Sequence, residues 1–198
     1  MAKLYFKFGA MGCSKSAQAL ITKFNYEERG MKVLLVKPSI DNRDGETIVK
    51  SRIGLTAEAI AVAESVNLYN LYNNSYKDCD VIIVDECQFL HPDQVDQLSQ
   101  VVMDFNVPVL CFGLSTDFQT HLFAGSKRLF EIADSITEIK SVCKCGDKAT
   151  VNARLDGNGN VVFNGDQLCI GGNERYVAMC KKCWIKARRE QEARGIYT

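Results

Sequence analysis

The sequence predicts an α/β fold, a parallel sheet with flanking helices, joined to a small zinc-binding domain. Three observations predict it. Short runs rich in β-branched and aromatic residues recur at 4–8 (LYFKF), 31–37 (MKVLLVK), 81–84 (VIIV) and 107–112 (VPVLCF). Several of them are apolar without alternation, as strands buried on both faces of a parallel sheet are. Helical periodicity lies between them, the order that strand–helix–strand units require. Near residue 141 the character changes, and cysteines fall in two close pairs, Cys143 with Cys145 and Cys180 with Cys183.

The elements follow in order. After the first strand comes glycine, then a segment with Leu20, Ile21 and Phe24 on one helix face and Gly30 placed to stop it. The strand at 31–37 ends at Pro38. Between the last two strands, HPDQVDQLSQVVMDFN repeats Val95, Leu98, Val102 and Phe105 at helical spacing, with Pro92 at the helix start. A boundary near 140 divides the chain into an α/β sheet domain (1–140) and a small appended domain with a tail (141–198). In the second, 150–163 predicts a hairpin turning through DGNG. Gly171 and Gly172 mark another turn, and 184–194 predicts a charged helix.

Composition narrows the function. Lys+Arg and Asp+Glu are both 24, so the net charge is zero and the basic stripe of a general nucleic-acid binder is missing. A small anionic ligand needs only local positive charge. The start, MAKLYFKFGAMG, reads as a strand and not as a leader. No run approaches the roughly 18 apolar residues of a membrane span. The expected location is the cytoplasm, where nine cysteines argue against a disulfide framework. Cys13, Cys79, Cys87, Cys111 and Cys169 are scattered and read as small core residues.

The stretch FGAMGCSKSA at 8–17 carries the chemistry. A phosphate-binding loop turns several backbone N–H groups toward one anion, with a helix N-terminus behind them. Its lysine reaches the terminal phosphates, and its Ser or Thr hydroxyl binds Mg²⁺. Here Gly9, Ala10, Met11, Gly12, Cys13 and Ser14 follow a strand, and Lys15 and Ser16 open a helix. Ser14 stands where the usual pattern has glycine, and serine is tolerated there only if its φ is not strongly positive. The alternative is a glycine-containing turn with a solvated lysine. A second motif, VIIVDE, ends an apolar strand in Asp85, placed to support Mg²⁺, and Glu86, placed to face a substrate. The two motifs in this order point to a P-loop nucleotide enzyme.

The cysteine pairs have the form of a four-thiolate zinc site. Four protein ligands leave no open position for catalysis, so the metal is expected to be structural. It would pin a subdomain too small to build its own core. The first pair has one intervening residue where two are usual.

Together these stretches resemble the thymidine kinase family that bears a zinc-containing lasso domain. The resemblance spans nearly the whole chain: GAMGCSKS at 9–16, KPSIDNR at 37–43, SRIGL at 51–55, VDECQFL at 84–90, FGLSTDF at 112–118, LFAGSKRL at 122–129, the cysteine pairs, and IGGNERY at 170–176. It implies an ATP- and Mg²⁺-dependent kinase that converts thymidine to its 5′-monophosphate. Lys15 and Ser16 would bind ATP phosphates and Mg²⁺, within a loop 9–16 and a strand end made of Asp85, Glu86, Cys87 and Gln88. Glu86 matches the general base, and Gln88 would help hold the site. Asp41 and Arg43 match a pair near the transferred phosphate. Met11, Phe89, Leu114, Phe118 and Phe123 match residues around the thymine ring. Tyr176 and the backbone of Leu168, Cys169, Ile170, Gly171 and Gly172 match the lasso that closes over the base. A homotetramer is implied, with no nucleic-acid or membrane partner. His91 and His121 read as non-catalytic.

The resemblance breaks at Cys13-Ser14-Lys15, where the family usually carries Ser- or Ala-Gly-Lys. Two other readings therefore stand beside it: a nucleotide-binding protein whose catalysis Ser14 has impaired, and a zinc-ribbon nucleic-acid binder, against which the zero net charge speaks.

Overall fold

The computed structural model describes residues 1–42, 45–167 and 175–196. In chain order the elements are β1 (Leu4–Phe8), α1 (Lys15–Glu27), β2 (Val33–Pro38), β3 (Ile48–Lys50), β4 (Thr56–Glu58), β5 (Ile60–Val62), α2 (Leu68–Ser75) and β6 (Val81–Val84). A 3₁₀ turn at Cys87–Phe89 precedes α3 (Pro92–Phe105), β7 (Val109–Gly113), α4 (Ala124–Ile132) and β8 (Ser135–Glu138). Then come β9 (Ser141–Val142), β10 (Lys148–Ala149), β11 (Val151–Leu155), β12 (Val161–Val162), β13 (Tyr176–Met179) and α5 (Lys181–Ala193).

Six strands form one sheet in the order β5-β2-β6-β7-β1-β8, and every pairing in it is parallel. All six C-terminal ends therefore open on the same edge, where such sheets bind ligands. β6 is buried along its whole length, which is why its sequence does not alternate. Ile82 and Val84 face a cluster with Val95, Leu98 and Val102 of α3, Leu68 and Tyr72 of α2, and Leu129 of α4. Val81 and Ile83 face the opposite side with Ala19, Leu20, Leu110 and Phe112. Each side chain buried this way contributes about 1.5–3 kcal/mol.

The four strands expected from sequence are present, as is the helix with Pro92 at its start. His91 caps that helix, its Nδ1 accepting the Asp93 N–H at 3.3 Å while Gln94 Oε1 accepts the His91 N–H at 3.1 Å. The face of α1 differs from expectation. Leu20 is buried, but Ile21 is 47% and Phe24 61% exposed, and Ala17 and Ala19 form the packed face instead. Alanines let the helix lie close to the sheet, so the small residues mark the core side and the large ones face out.

Beyond residue 140 the pairing is antiparallel. β11 lies between β12 and β13, and β9 pairs with β10. The expected hairpin joins β11 to β12, with Asp156 Oδ1 accepting the N–H groups of Asn158 and Asn160, each at 2.8 Å.

One close approach fixes the strand end that matters most. A Cβ on Gly125 of α4 would lie 2.6 Å from the Leu90 carbonyl oxygen, 2.8 Å from that of Cys87 and 3.1 Å from that of Gln88. The helix is thus pressed onto the backbone of the 3₁₀ turn. Gly125→Ala is expected to lower unfolding free energy by about 1–3 kcal/mol through overpacking, although alanine is favoured by ~1 kcal/mol in an open helix. Urea denaturation checks this, and a gain in stability would contradict the close packing.

Candidate active site

The phosphate loop leaves β1 at Phe8 and enters α1 at Lys15, so the first backbone N–H groups of α1 and the positive end of its dipole point across the sheet edge. The turn needs two left-handed residues, Gly12 at φ +76° and Ser14 at φ +66°. The expectation that Ser14 avoids a strongly positive φ is therefore corrected. Glycine is usual here because the backbone demands it, and serine accepts a cost of about 1–2 kcal/mol. Ser14 makes no side-chain cap in return. Lys15 is buried, and its Nζ donates to the carbonyls of Gly9 at 3.1 Å and Ala10 at 3.0 Å. Cys13 is buried with its sulfur 3.6 Å from that amine.

At the end of β6, Asp85 is buried and Glu86 turns off the strand at φ +52°. Burial raises the Asp85 carboxyl to about 7, the adjacent Glu86 charge adds to this, and a hydrogen bond from Ser16 opposes it. The Glu86 side chain is held by Gln88, whose Nε2 donates to Glu86 Oε2 at 2.5 Å. Gln88 Oε1 accepts the Leu114 N–H at 3.0 Å, which obliges its amide to present N–H to Glu86. The Ser126 hydroxyl donates to the Leu114 carbonyl, tying α4 to the same point. Cys87 is drawn into the core, its thiol pushed up by burial and by Cys111, and its carbonyl accepts the Leu90 N–H at 3.1 Å.

These groups open into one cavity of about 180 Å³. Of the sequence-predicted residues, Met11, Gly12, Ser14, Lys15, Ser16, Asp41, Glu86, Gln88, Phe89, Leu114, Phe118, Phe123 and Tyr176 line it. Gly9, Ala10, Cys13, Asp85 and Cys87 lie behind that wall. Arg43 and the stretch Leu168, Cys169, Ile170, Gly171 and Gly172 fall outside the described residues. Phe123 packs edge-on against Phe89, with ring centroids 5.6 Å apart, and Phe118 carries the Arg154 guanidinium 3.8 Å above its ring.

Sequence reasoning missed several residues that the fold brings here. Asn152 of β11 is buried; its Oδ1 accepts the Met11 N–H at 2.7 Å and its Nδ2 donates to the Thr116 carbonyl at 2.8 Å. It joins the second sheet to both the phosphate loop and the loop after β7. Asp117, also buried, accepts the N–H groups of Gln119 and His121 at 2.8 and 2.9 Å and the Gln167 amide at 2.9 Å. Arg52, at the tip of the β3–β4 hairpin, places its guanidinium over Gly12, 3.3 Å from where a Cβ would stand. A buried polar residue in a strand was the signal for Asn152, and the SRIGL motif contained Arg52.

The sulfurs of Cys143, Cys145, Cys180 and Cys183 all lie within 4.8 Å of one another. Tetrahedral zinc with bonds of about 2.3 Å sets sulfurs ~3.8 Å apart, and Cys145 and Cys180 are at 3.6 Å. Backbone N–H groups of Cys145 and Cys180 pull the Cys143 thiol down to about 6, while neighbouring thiols Cys145 and Cys180 push Cys183 up to about 12. One thiolate forms readily and further ones crowd it, which is the electrostatics a bound cation relieves. The single-residue spacing of the first pair is no obstacle to this geometry.

Comparison with known proteins follows this geometry. The family described as "Thymidine kinase" matches residues 2–184. The thymidine kinase of Zymomonas mobilis is 49% identical over 188 residues, covering 94% of this chain and 97% of its own. That of Enterobacteria phage T4 is 48% identical over 186 residues, covering 93% and 96%. That of Yersinia pseudotuberculosis is 45% identical over 189 residues, covering 94% and 96%.

Ser14→Gly is expected to stabilise the chain. Release of the left-handed serine, about 1–2 kcal/mol, exceeds the added flexibility of the unfolded state, about 0.5–1 kcal/mol. The denaturation midpoint should rise with turnover retained; a lower midpoint would sink the strain argument.

Proposed function

Since the chain belongs to the thymidine kinase family, it is an ATP-dependent kinase acting on thymidine, and we propose that Glu86, Lys15, Ser16 and Asp85 carry the transfer. The observation that supports this is the setting of Glu86: a carboxylate in left-handed backbone, oriented by Gln88 and facing the same cavity as Lys15. A primary hydroxyl is a poor nucleophile until a base accepts its proton. Glu86 takes the 5′-hydroxyl proton, and the oxygen attacks the γ-phosphorus of ATP, giving thymidine 5′-monophosphate and ADP. With such relatives, the reading of Ser14 as a lesion that abolishes catalysis has no support.

Lys15 would exchange the Gly9 and Ala10 carbonyls for phosphate oxygens, at the positive end of α1. The Ser16 hydroxyl and the Asp85 carboxylate form an oxygen pair of the kind Mg²⁺ takes. Bound there, Mg²⁺ would neutralise charge on the phosphates. Met11, Phe89, Leu114, Phe118, Phe123 and Tyr176 would enclose the thymine ring, and 168–172 would close over it as the lasso. The chain entering that stretch is tied down: Gln167 to Asp117, and Arg154 to the Asp166 carbonyl at 3.0 Å. Apolar contact with the 5-methyl group adds a preference over deoxyuridine of about 1–3 kcal/mol. Zinc on the four cysteines holds the second sheet. We read 1–140 and 141–198 as the two domains, and the assembly as a cytoplasmic homotetramer. Among the described residues no helix is long and apolar enough to cross a membrane.

Glu86→Gln is expected to lower kcat for thymidine about 10²–10⁴-fold with KM changed little, measured as monophosphate formation with MgATP. A kcat within ten-fold of the parent would remove Glu86 as base. Zinc content should be about one ion per chain, lost in Cys180→Ser. Chelation should change the emission of Trp184, the one tryptophan, which follows Cys183 and packs edge-on to Phe163 at 5.2 Å. Emission indifferent to chelation in zinc-loaded protein would count against a structural metal.

A further inference from the structure

Among the described residues, Lys37 is a buried cation that the mechanism above leaves unused. Lysine is almost never fully buried unless paired, yet Lys37 is 1% exposed near the C-terminal end of β2. An ammonium has three protons to place. Three acceptors surround this one: the carbonyl of Ile48 at 2.9 Å, the carbonyl of Gly45 at 3.1 Å and the Asp41 carboxylate at 3.5 Å. Two of the three belong to the loop that connects β2 to β3, and the third opens β3. The lysine head gathers that connection around itself.

Burying an ammonium is costly even when it is paired, and an apolar residue would fill β2 at lower cost. Asp41 presents the complementary anomaly. Its carboxylate lines the cavity that also holds Lys15 and the start of α1, where an uncompensated negative charge would repel a polyphosphate. Each anomaly accounts for the other. We propose that Lys37 is a positioning residue for phosphoryl transfer, holding Asp41 at the cavity wall and cancelling its charge toward the phosphates. Asp41 then acts as an oriented hydrogen-bond acceptor and not as a free anion. The inference rests on the placement of Asp41 beside the phosphates in the reading above.

The experiment is a double-mutant cycle on the full zinc-loaded chain: Lys37→Met, Asp41→Asn and both together, with MgATP and thymidine. Lys37→Met should lower kcat at least ten-fold with KM for thymidine within two-fold, because the thymine wall is untouched. Asp41→Asn should also lower kcat. The double variant should be no slower than Lys37→Met, since the carboxylate that faced the lost ammonium is gone as well. A further loss of more than two-fold in the double variant means independent roles and overturns the inference. So does either single variant at the parent kcat. If Lys37→Met does not fold, Lys37→Gln takes its place in the cycle. If neither folds while Asp41→Asn does, Lys37 is a strut of the core and the inference is wrong. A parent protein without thymidine turnover would instead sink the kinase reading itself.

Discussion

The turn at the end of β6 is the constraint on which the site depends. Glu86 must leave the strand in left-handed backbone, which a residue with a Cβ adopts at a cost of order 1–2 kcal/mol. The turn persists because its surroundings over-determine it. The Leu114 N–H fixes the Gln88 amide, which fixes the Glu86 carboxylate, and α4 bears on the same backbone through the bare Cα of Gly125. The phosphate loop repeats the pattern with Ser14. Strain thus sits at the two strand ends where the reacting groups are proposed to meet, and the packed sheet behind them holds it.

Electrostatics at this edge has one theme. Asp85 and Glu86 are adjacent carboxylates, and burial makes the first reluctant to ionise. Lys15, the Ser16 hydroxyl and the helix dipole offset that reluctance in part. The Mg²⁺ proposed above would offset the rest. Lys37 solves the same problem for Asp41 with a resident cation. At the cysteine cluster Cys145 and Cys180 push the Cys183 thiol up, and a metal bound there would favour its ionised form.

The sheet was legible because its strands are buried on both faces and leave uninterrupted apolar runs: β1, β2, β6 and β7 were all visible. The edge strands β5 and β8 were not, since an edge needs less apolar sequence, and neither was the polar β3–β4 hairpin that carries Arg52. The face of α1 was misread because Ile21 and Phe24 are large and Ala17 and Ala19 are small, and size is a poor guide where a helix lies close to a sheet. The motif residues of the site were visible, as motifs are local. Asn152 acts through partners distant in sequence, while Asp117 and Lys37 hold backbone groups of their own following loops, and a single buried Asn, Asp or Lys carries no mark of which backbone group it will meet.

Asn152 would give a metal bound at the cysteine cluster a task beyond stabilising its own lobe. The four cysteine sulfurs cluster around β9, β10 and the start of α5, and β11 lies against β13 in that same lobe. From β11 one amide reaches both the Met11 N–H and the Thr116 carbonyl. The first belongs to the loop that would hold phosphate, the second to the loop that would hold thymine. An amide can satisfy both only if its backbone stands at one distance from each. A metal bound there would fix the lobe and with it the spacing between these two loops, and in-line phosphoryl transfer depends on such spacing.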